Sequence, residues 1–333
     1  MRFRLTDEQQ AFAGSLHALL SASAVPAAAR SWAAGDARPG RALWSRLAGA
    51  GVFALAVPEA YEGGLGPRPV EVAVAFTELG RHAVPGPLVE TVAAAALLAR
   101  LAERGGDGPA RRLLPPLASG ALTATLPSAH GWALDADAAG VTLVADAAAG
   151  ELRLAPGHGP VRASADPVRR LARPSPGGEV LAAGPRVAEA ARYAADWAAL
   201  ATAAQSLGVG YALLDRTVAY AGQRTQFGAA VGSFQAVKHR LADTLLGLAF
   251  ARPLVLGAAL SLRTADIAAA KAAAGDAAYA AARTALQLHG AVGYTEELDL
   301  AWWLRKARPL RAAWGDPAWC RRQVLADVDP GEP

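Results

Sequence analysis

Cysteine is almost absent from this sequence. Cys320 is the one thiol in 333 residues, which excludes an internal disulfide and a thiolate metal cluster. The six histidines form no HxxxH or HExxH pair, so their spacing gives no metal site. Charge is sparse as well, at 19% of residues, and basic residues fall singly or in pairs such as Arg111-Arg112, Arg169-Arg170 and Arg321-Arg322. Without a long basic tract, the formal charge of +4 argues for an anionic small-molecule partner and against nucleic acid. The first residues, "MRFRLTDEQQ", contain no apolar signal core, and no stretch reads as an uninterrupted membrane span. The expectation is a cytoplasmic chain with no membrane partner.

What is abundant is apolar, and much of it is alanine. Hydrophobic residues make up 53%, a globular composition, and the length suffices for two or three packed layers or two domains. Alanine favours helix and buries little area, so a core built from it needs close contact between helices.

The order of patterns divides the chain. "LTDEQQAFAGSLHALL" opens with a capping box, Thr6 as N-cap and Gln9 three residues on, and apolar residues then recur at helical spacing. A short helix is expected to end near Gly49 or Gly51, and two more follow, split by Pro85 and Pro87. From "LLPPLASG" to about residue 185, runs such as "VTLVAD" and "ELRLAP" alternate apolar and polar residues between Gly, Pro and Asp turns, the signal for short strands. Helix then returns. One helix ends at Gly222, a second begins near Phe234 with a kink expected at Pro253, and a third runs from Thr264 as N-cap to Gly290. The last amphipathic stretch is "ELDLAWWLRKARPLRAAW". The expected fold is mainly α with a small β domain: a helical domain over 1–115, a shortened β domain over 116–185, and a four-helix bundle over 186–333.

Two loops carry chemistry. "AYAGQRTQFGAAVGSFQAVKHRLAD" interrupts a cheap helix with three glycines and brings Arg224, Gln226 and Phe227 within four residues, with Gln235 just beyond. An arginine in a glycine-bounded loop at a helix end suits a pyrophosphate, with an amide beside it and an aromatic ring for a flat group. In "QLHGAVGYT", a helix ends in glycine with Gln287 and His289 at the turn.

These loops, in this order, resemble those of the acyl-CoA dehydrogenase family. "LWSRLAGAGVFALAVPEAYEGGLG" and "FTELGRHAVPGPL" are similar to that family's first helical domain, and the likeness covers nearly the whole chain. The resemblance implies that FAD is the cofactor and an acyl-CoA the substrate. It also implies that Arg224, Gln226 and Phe227, helped by Gln235, Gln287 and Gly290, meet the ADP half of a FAD reaching across from a neighbouring subunit. Ala291 stands where a second glycine is usual.

Other family features are missing. The segment expected to hold the flavin ring reads "LTATLPSAHGW", with neither the Thr-Glu-Pro nor the Gly-Ser of the family. Where many members carry the catalytic glutamate this chain has "AAWGDPAW", and the alternative position falls near Ala198. Abstraction of the α proton of a thioester needs a carboxylate. Asp196 and Asp316 are the nearest substitutes, and each is one methylene short or out of register. The chain therefore resembles the non-catalytic subunit of heteromeric acyl-CoA dehydrogenases that act on steroid side-chain thioesters. Its expected partners are a longer homologue bearing the glutamate and an electron-transfer acceptor protein. An ordinary homomeric dehydrogenase and a non-enzymatic scaffold of the same fold are the alternatives.

Overall fold

A computed structural model describes residues 3–328, so the extreme ends of the first and last expected domains, 1–2 and 329–333, lie outside the described residues. The capping box forms as the sequence predicts. Gln9 N–H donates to the Thr6 hydroxyl at 3.2 Å and Thr6 N–H to the Gln9 side chain at 3.0 Å, starting α1 (Asp7–Ser21). The helical region continues with α2 (Val25–Ala33), α3 (Arg38–Gly49), α4 (Pro69–Arg81), α5 (Leu88–Glu103) and α6 (Asp107–Ala118). α6 runs through Pro115 and Pro116, past the expected boundary at 115. The prolines cost hydrogen bonds only in its last turn, while Leu113, Leu114 and Leu117 are buried.

Seven short strands follow: β1 (Ala124–Thr125), β2 (Ala133–Leu134), β3 (Val141–Asp146), β4 (Glu151–Leu154), β5 (Arg162–Ala163), β6 (Arg170–Ala172) and β7 (Glu179–Ala183). They make a four-stranded sheet, β1-β3-β4-β7, and a three-stranded one, β2-β6-β5. β3 and β4 are the two alternating runs seen in the sequence, paired antiparallel with Leu143 opposite Leu154. Leu143 and Leu152 are fully buried and join the main helical core.

The centre of the molecule is α7 (Arg186–Gln223), 38 residues long, packed against α4 and α5. Its crossing with α4 is close enough to require glycine on both sides. A Cβ on Gly80 would meet the Gln205 carbonyl, and one on Gly208 the Thr77 carbonyl. This is the close contact that an alanine-rich core implies. A hairpin, β8 (Thr225–Gln226) and β9 (Ala229–Ala230), then leads into α8 (Gln235–Ser261), α9 (Thr264–His289), α10 (Leu300–Ala312) and α11 (Pro317–Val328).

α8 runs unbroken through Pro253. Three expectations are corrected here. α11 packs on α9 as a fifth helix of the C-terminal bundle, short and begun by Pro317. Thr264 is the first helical residue rather than the cap, because its hydroxyl donates to Asp196 at 2.9 Å. Finally, α7 and α8 are each long and apolar enough to cross a membrane by length and composition. A helix apolar all round is either a bilayer span or a core helix. The apolar window of α7 is 94% buried inside the protein, whereas that of α8 is 33% buried.

Candidate functional site

α7 ends at Gln223, and Arg224 caps it, its backbone N–H donating to the Tyr220 carbonyl at 2.9 Å. The hairpin that follows pairs Thr225 with Ala230 and Gln226 with Ala229, leaving Phe227 and Gly228 as its two-residue turn. Both turn residues have positive φ, 53° and 77°, as a tight hairpin requires to match strand twist. For a phenylalanine that conformation costs about 1 kcal/mol or more. The ring is also 94% exposed, touching Phe234 edge-on at 6.4 Å. Gln235 opens α8 and hydrogen bonds His239 at 3.0 Å.

Tyr220 joins the two loops. The Arg224 guanidinium donates to its hydroxyl at 2.8 Å, and its ring stacks on His289 with centroids 4.2 Å apart. His289 is buried, donates from Nδ1 to the Ala285 carbonyl at 2.8 Å, and is held below the usual imidazole pKa by burial. The end of α9 is thereby fixed beside the Arg224 loop, with Gln287 exposed and Gly290 taking the left-handed φ of 65° that ends the helix. Arg224, Gln226, Phe227, Gln235, Gln287 and Gly290 are all exposed. Among the described residues no carboxylate lies within ion-pair distance of Arg224. A guanidinium with no carboxylate partner among the described residues, three side-chain amides and an exposed aromatic ring make a donor set that fits a pyrophosphate with an adjoining flat base.

The two segments that depart from the family pattern also meet. Ser128, His130 and Trp132 from "LTATLPSAHGW" face Trp314, Asp316 and Trp319 from the C-terminal stretch across a cavity of about 500 Å³. Neither aspartate is a poised base. Asp316 caps α11 by accepting the Trp319 N–H at 2.8 Å, and that bond holds its carboxyl below the usual range. Asp196 is pushed up by burial and accepts the Thr264 hydroxyl.

Sequence reasoning missed Glu90. It lies on α5, 2% exposed, where its Oε1 accepts the Trp314 indole N–H at 3.0 Å and its Oε2 meets no hydrogen-bond partner among the described residues. Burial pushes its carboxyl up, against the opposing charge of Arg169. The signal was one acid within the apolar run "PLVETVAAAALL". Trp314 itself has φ 55°, and its loop is fixed by Lys271 on α9, whose Nζ donates to the carbonyls of Leu310, Arg311 and Gly315, each at 3.0 Å. Burial lowers the Lys271 pKa to about 8.

One gathering of potential metal donors was also invisible to spacing. His17 Nδ1 lies 3.1 Å from Glu78 Oε2 and 3.2 Å from His82 Nε2, with α1 and α4 each contributing. Burial first, then His17, Arg216 and Arg81, lower the His82 pKa to about 4, and the two guanidiniums work against a cation there.

The helical domains and the small sheets between them are arranged as in an acyl-CoA dehydrogenase, and this chain belongs to that family. The family model for the N-terminal domain matches residues 6–121 and that for the C-terminal domain residues 188–328. The chain is 35% identical to acyl-CoA dehydrogenase IpdE2 of Mycobacterium tuberculosis, over 97% of its own length and 98% of that protein's. In structure it is similar to the Tcur3481-Tcur3483 steroid acyl-CoA dehydrogenase, with TM-score 0.82, 25% identity and coverage of 98% and 99%. It shares its fold with the ChsE4-ChsE5 complex of Mycobacterium tuberculosis, with TM-score 0.83, 23% identity and full coverage of both chains. FAD is the cofactor of the family and the group that the Arg224 donor set fits.

Proposed function

We propose that this chain is one subunit of a heteromeric acyl-CoA dehydrogenase that forms an α,β double bond in a CoA thioester. In this reading it holds the ADP half of a FAD whose ring, together with the catalytic glutamate, belongs to a longer homologous partner. The observation that carries it is the placement of the clamp. All six residues face outward, and the strained Phe227 ring has nothing of its own chain to cover it. The outer face of α8 continues this surface with Leu245, Leu246, Phe250 and Leu260, between 49% and 72% exposed. Such a patch suits a subunit contact. It also accounts for the apolar length of α8 without a membrane, in keeping with a cytoplasmic assembly.

The chemistry FAD supplies when bound is acceptance of the β-carbon hydride. This chain's residues bind and orient: Arg224 neutralises the pyrophosphate, Gln226, Gln235 and Gln287 donate, and Phe227 covers the base. A steroid side-chain thioester is proposed as substrate, by likeness to the steroid enzyme named above. An electron-transfer protein is proposed as acceptor. For a homomeric enzyme the expected substitutes for the base are Asp196 and Asp316, and both are committed to structural hydrogen bonds.

Co-expression with the longer homologue tests the reading. Alone, the chain should be colourless, inactive and prone to aggregate. With its partner it should form a tetramer with two copies of each chain and one FAD for each copy of the partner. A yellow, active homomer, or a flavin on every chain, overturns it.

A further inference from the structure

The cavity of about 500 Å³ between the sheets and the bundle belongs wholly to this chain, and the ADP clamp does not use it. Its walls are largely apolar, with Trp132, Trp314 and Trp319 among them. Its polar groups are of a different kind from those a thioester carbonyl or a neutral ring needs. Glu90 lies in its lining, nearly fully buried, with one oxygen on Trp314 and the other unpartnered among the described residues. Arg169 lies there too, and no carboxylate is within ion-pair distance of it among the described residues.

The position of Arg169 is built rather than incidental. Asp166, fully buried, accepts the Lys306 ammonium at 2.8 Å and the Val168 N–H at 3.1 Å, pinning the turn before Arg169 to α10. Arg169 N–H in turn donates to the Asp166 carbonyl at 2.9 Å. On the opposite side, Lys271 and Glu90 hold the Trp314 loop. A buried carboxyl with a free oxygen is costly unless something hydrogen bonds it. A pocket that had merely lost its ligand would be better filled by an apolar residue at position 90.

Charge counting narrows the ligand. The lining contains the cations Arg169 and Arg322 and the anion Asp316, whose charge the cap of α11 stabilises. Burial disfavours the ionised form of Glu90, and its unpartnered oxygen is itself enclosed. Arg169 is left without a carboxylate at ion-pair distance among the described residues, beside indole walls. An anion of one charge with a flat apolar body complements that set.

We propose that this cavity is a binding site for a flat, apolar monocarboxylate, its ring against the indoles and its carboxylate on Arg169. The proposal rests on the reading above in one respect: the cavity is free for such a ligand because the flavin ring sits in the partner chain. The proposed role is binding: Asp316, the aspartate in the lining, is committed to capping α11.

Calorimetric titration of the full chain with naphthoate tests it. One saturable site per chain is expected, and naphthyl methyl ketone, the uncharged counterpart, should bind about ten-fold or more weakly. That comparison uses the wild-type protein and needs no variant to fold. Arg169→Met should weaken naphthoate by a similar factor while leaving the ketone unchanged. Absence of saturable naphthoate binding, or equal binding of acid and ketone, overturns the proposal and leaves the subunit reading intact. FMN that binds the lone chain and displaces naphthoate overturns both, since the ring site would then be this chain's own.

Discussion

Tyr220 and His289 stack with their ring centroids 4.2 Å apart and 21° between planes, although 69 residues separate them in sequence. The same tyrosine hydroxyl receives the Arg224 guanidinium at 2.8 Å. One aromatic pair thus sets the distance between the Arg224 loop and the glycine-ended turn of α9. A partly buried contact holds the two loops together, while Arg224, Gln226, Phe227 and Gln287 remain exposed.

Arg224→Ala should therefore release FAD from the assembled complex without dissolving the assembly. Loss of a charge-assisted contact to pyrophosphate costs about 1.5–3 kcal/mol. Flavin occupancy after gel filtration measures it, and unchanged occupancy removes Arg224 from the site.

Asp196→Asn and Asp316→Asn should each leave turnover of the complex within several-fold of wild type. Asparagine can still accept the Trp319 N–H at the start of α11, so folding should survive. Removal of a true general base costs about a hundred-fold or more. A collapse in rate with normal flavin content would place the base in this chain.

Burial raises the Asp135 pKa to about 8 in the folded protein, far above the carboxylate's ordinary value. A raised folded pKa means the native state holds a proton that the unfolded chain releases, so the associated stability declines as pH rises from about 4 toward 8. Asp135→Asn removes that dependence. Its melting temperature relative to wild type should rise between pH 5 and pH 8; a constant difference would contradict the assignment.

The Lys306–Asp166 pair is buried on both sides, with side-chain exposures of 5% and 0%. Lys306→Met leaves an uncompensated carboxylate and should cost about 3–5 kcal/mol. Lys306→Met combined with Asp166→Asn should cost less than the single change. Urea denaturation of wild type, both single variants and the double variant gives the comparison, and additive losses would show that the two groups do not interact.

Much of this architecture is legible in the sequence because local and tertiary preferences agree. Thr6 and Gln9 form the predicted capping box, and "VTLVAD" and "ELRLAP" become paired strands. The loops around Arg224 and Gly290 were recognisable because glycine, arginine and amides interrupt helix where nothing local requires it. Glu90 was not, because its meaning depends on Trp314, 224 residues away, and on a loop that Lys271 holds from a third helix. The donors His17, Glu78 and His82 escaped a spacing search because they come from two crossing helices. α11 was missed because it is only 12 residues long and its mean polarity resembles that of a tail. Local pattern reports which residues share a face; which faces meet is decided by packing.

The two long apolar helices of the bundle divide labour in a way that bears on how this chain can change. The apolar stretch of α7 is enclosed by its neighbours, so substitutions within it perturb folding. The outer side of α8 touches little of its own chain, and its leucines and Phe250 can be exchanged with small effect on the isolated fold. Selection on partner choice can then act on one helix face with little interference from selection on stability. In the heteromeric reading proposed above, a duplicated chain with that freedom can pair with a new companion while keeping the exposed loop around Arg224.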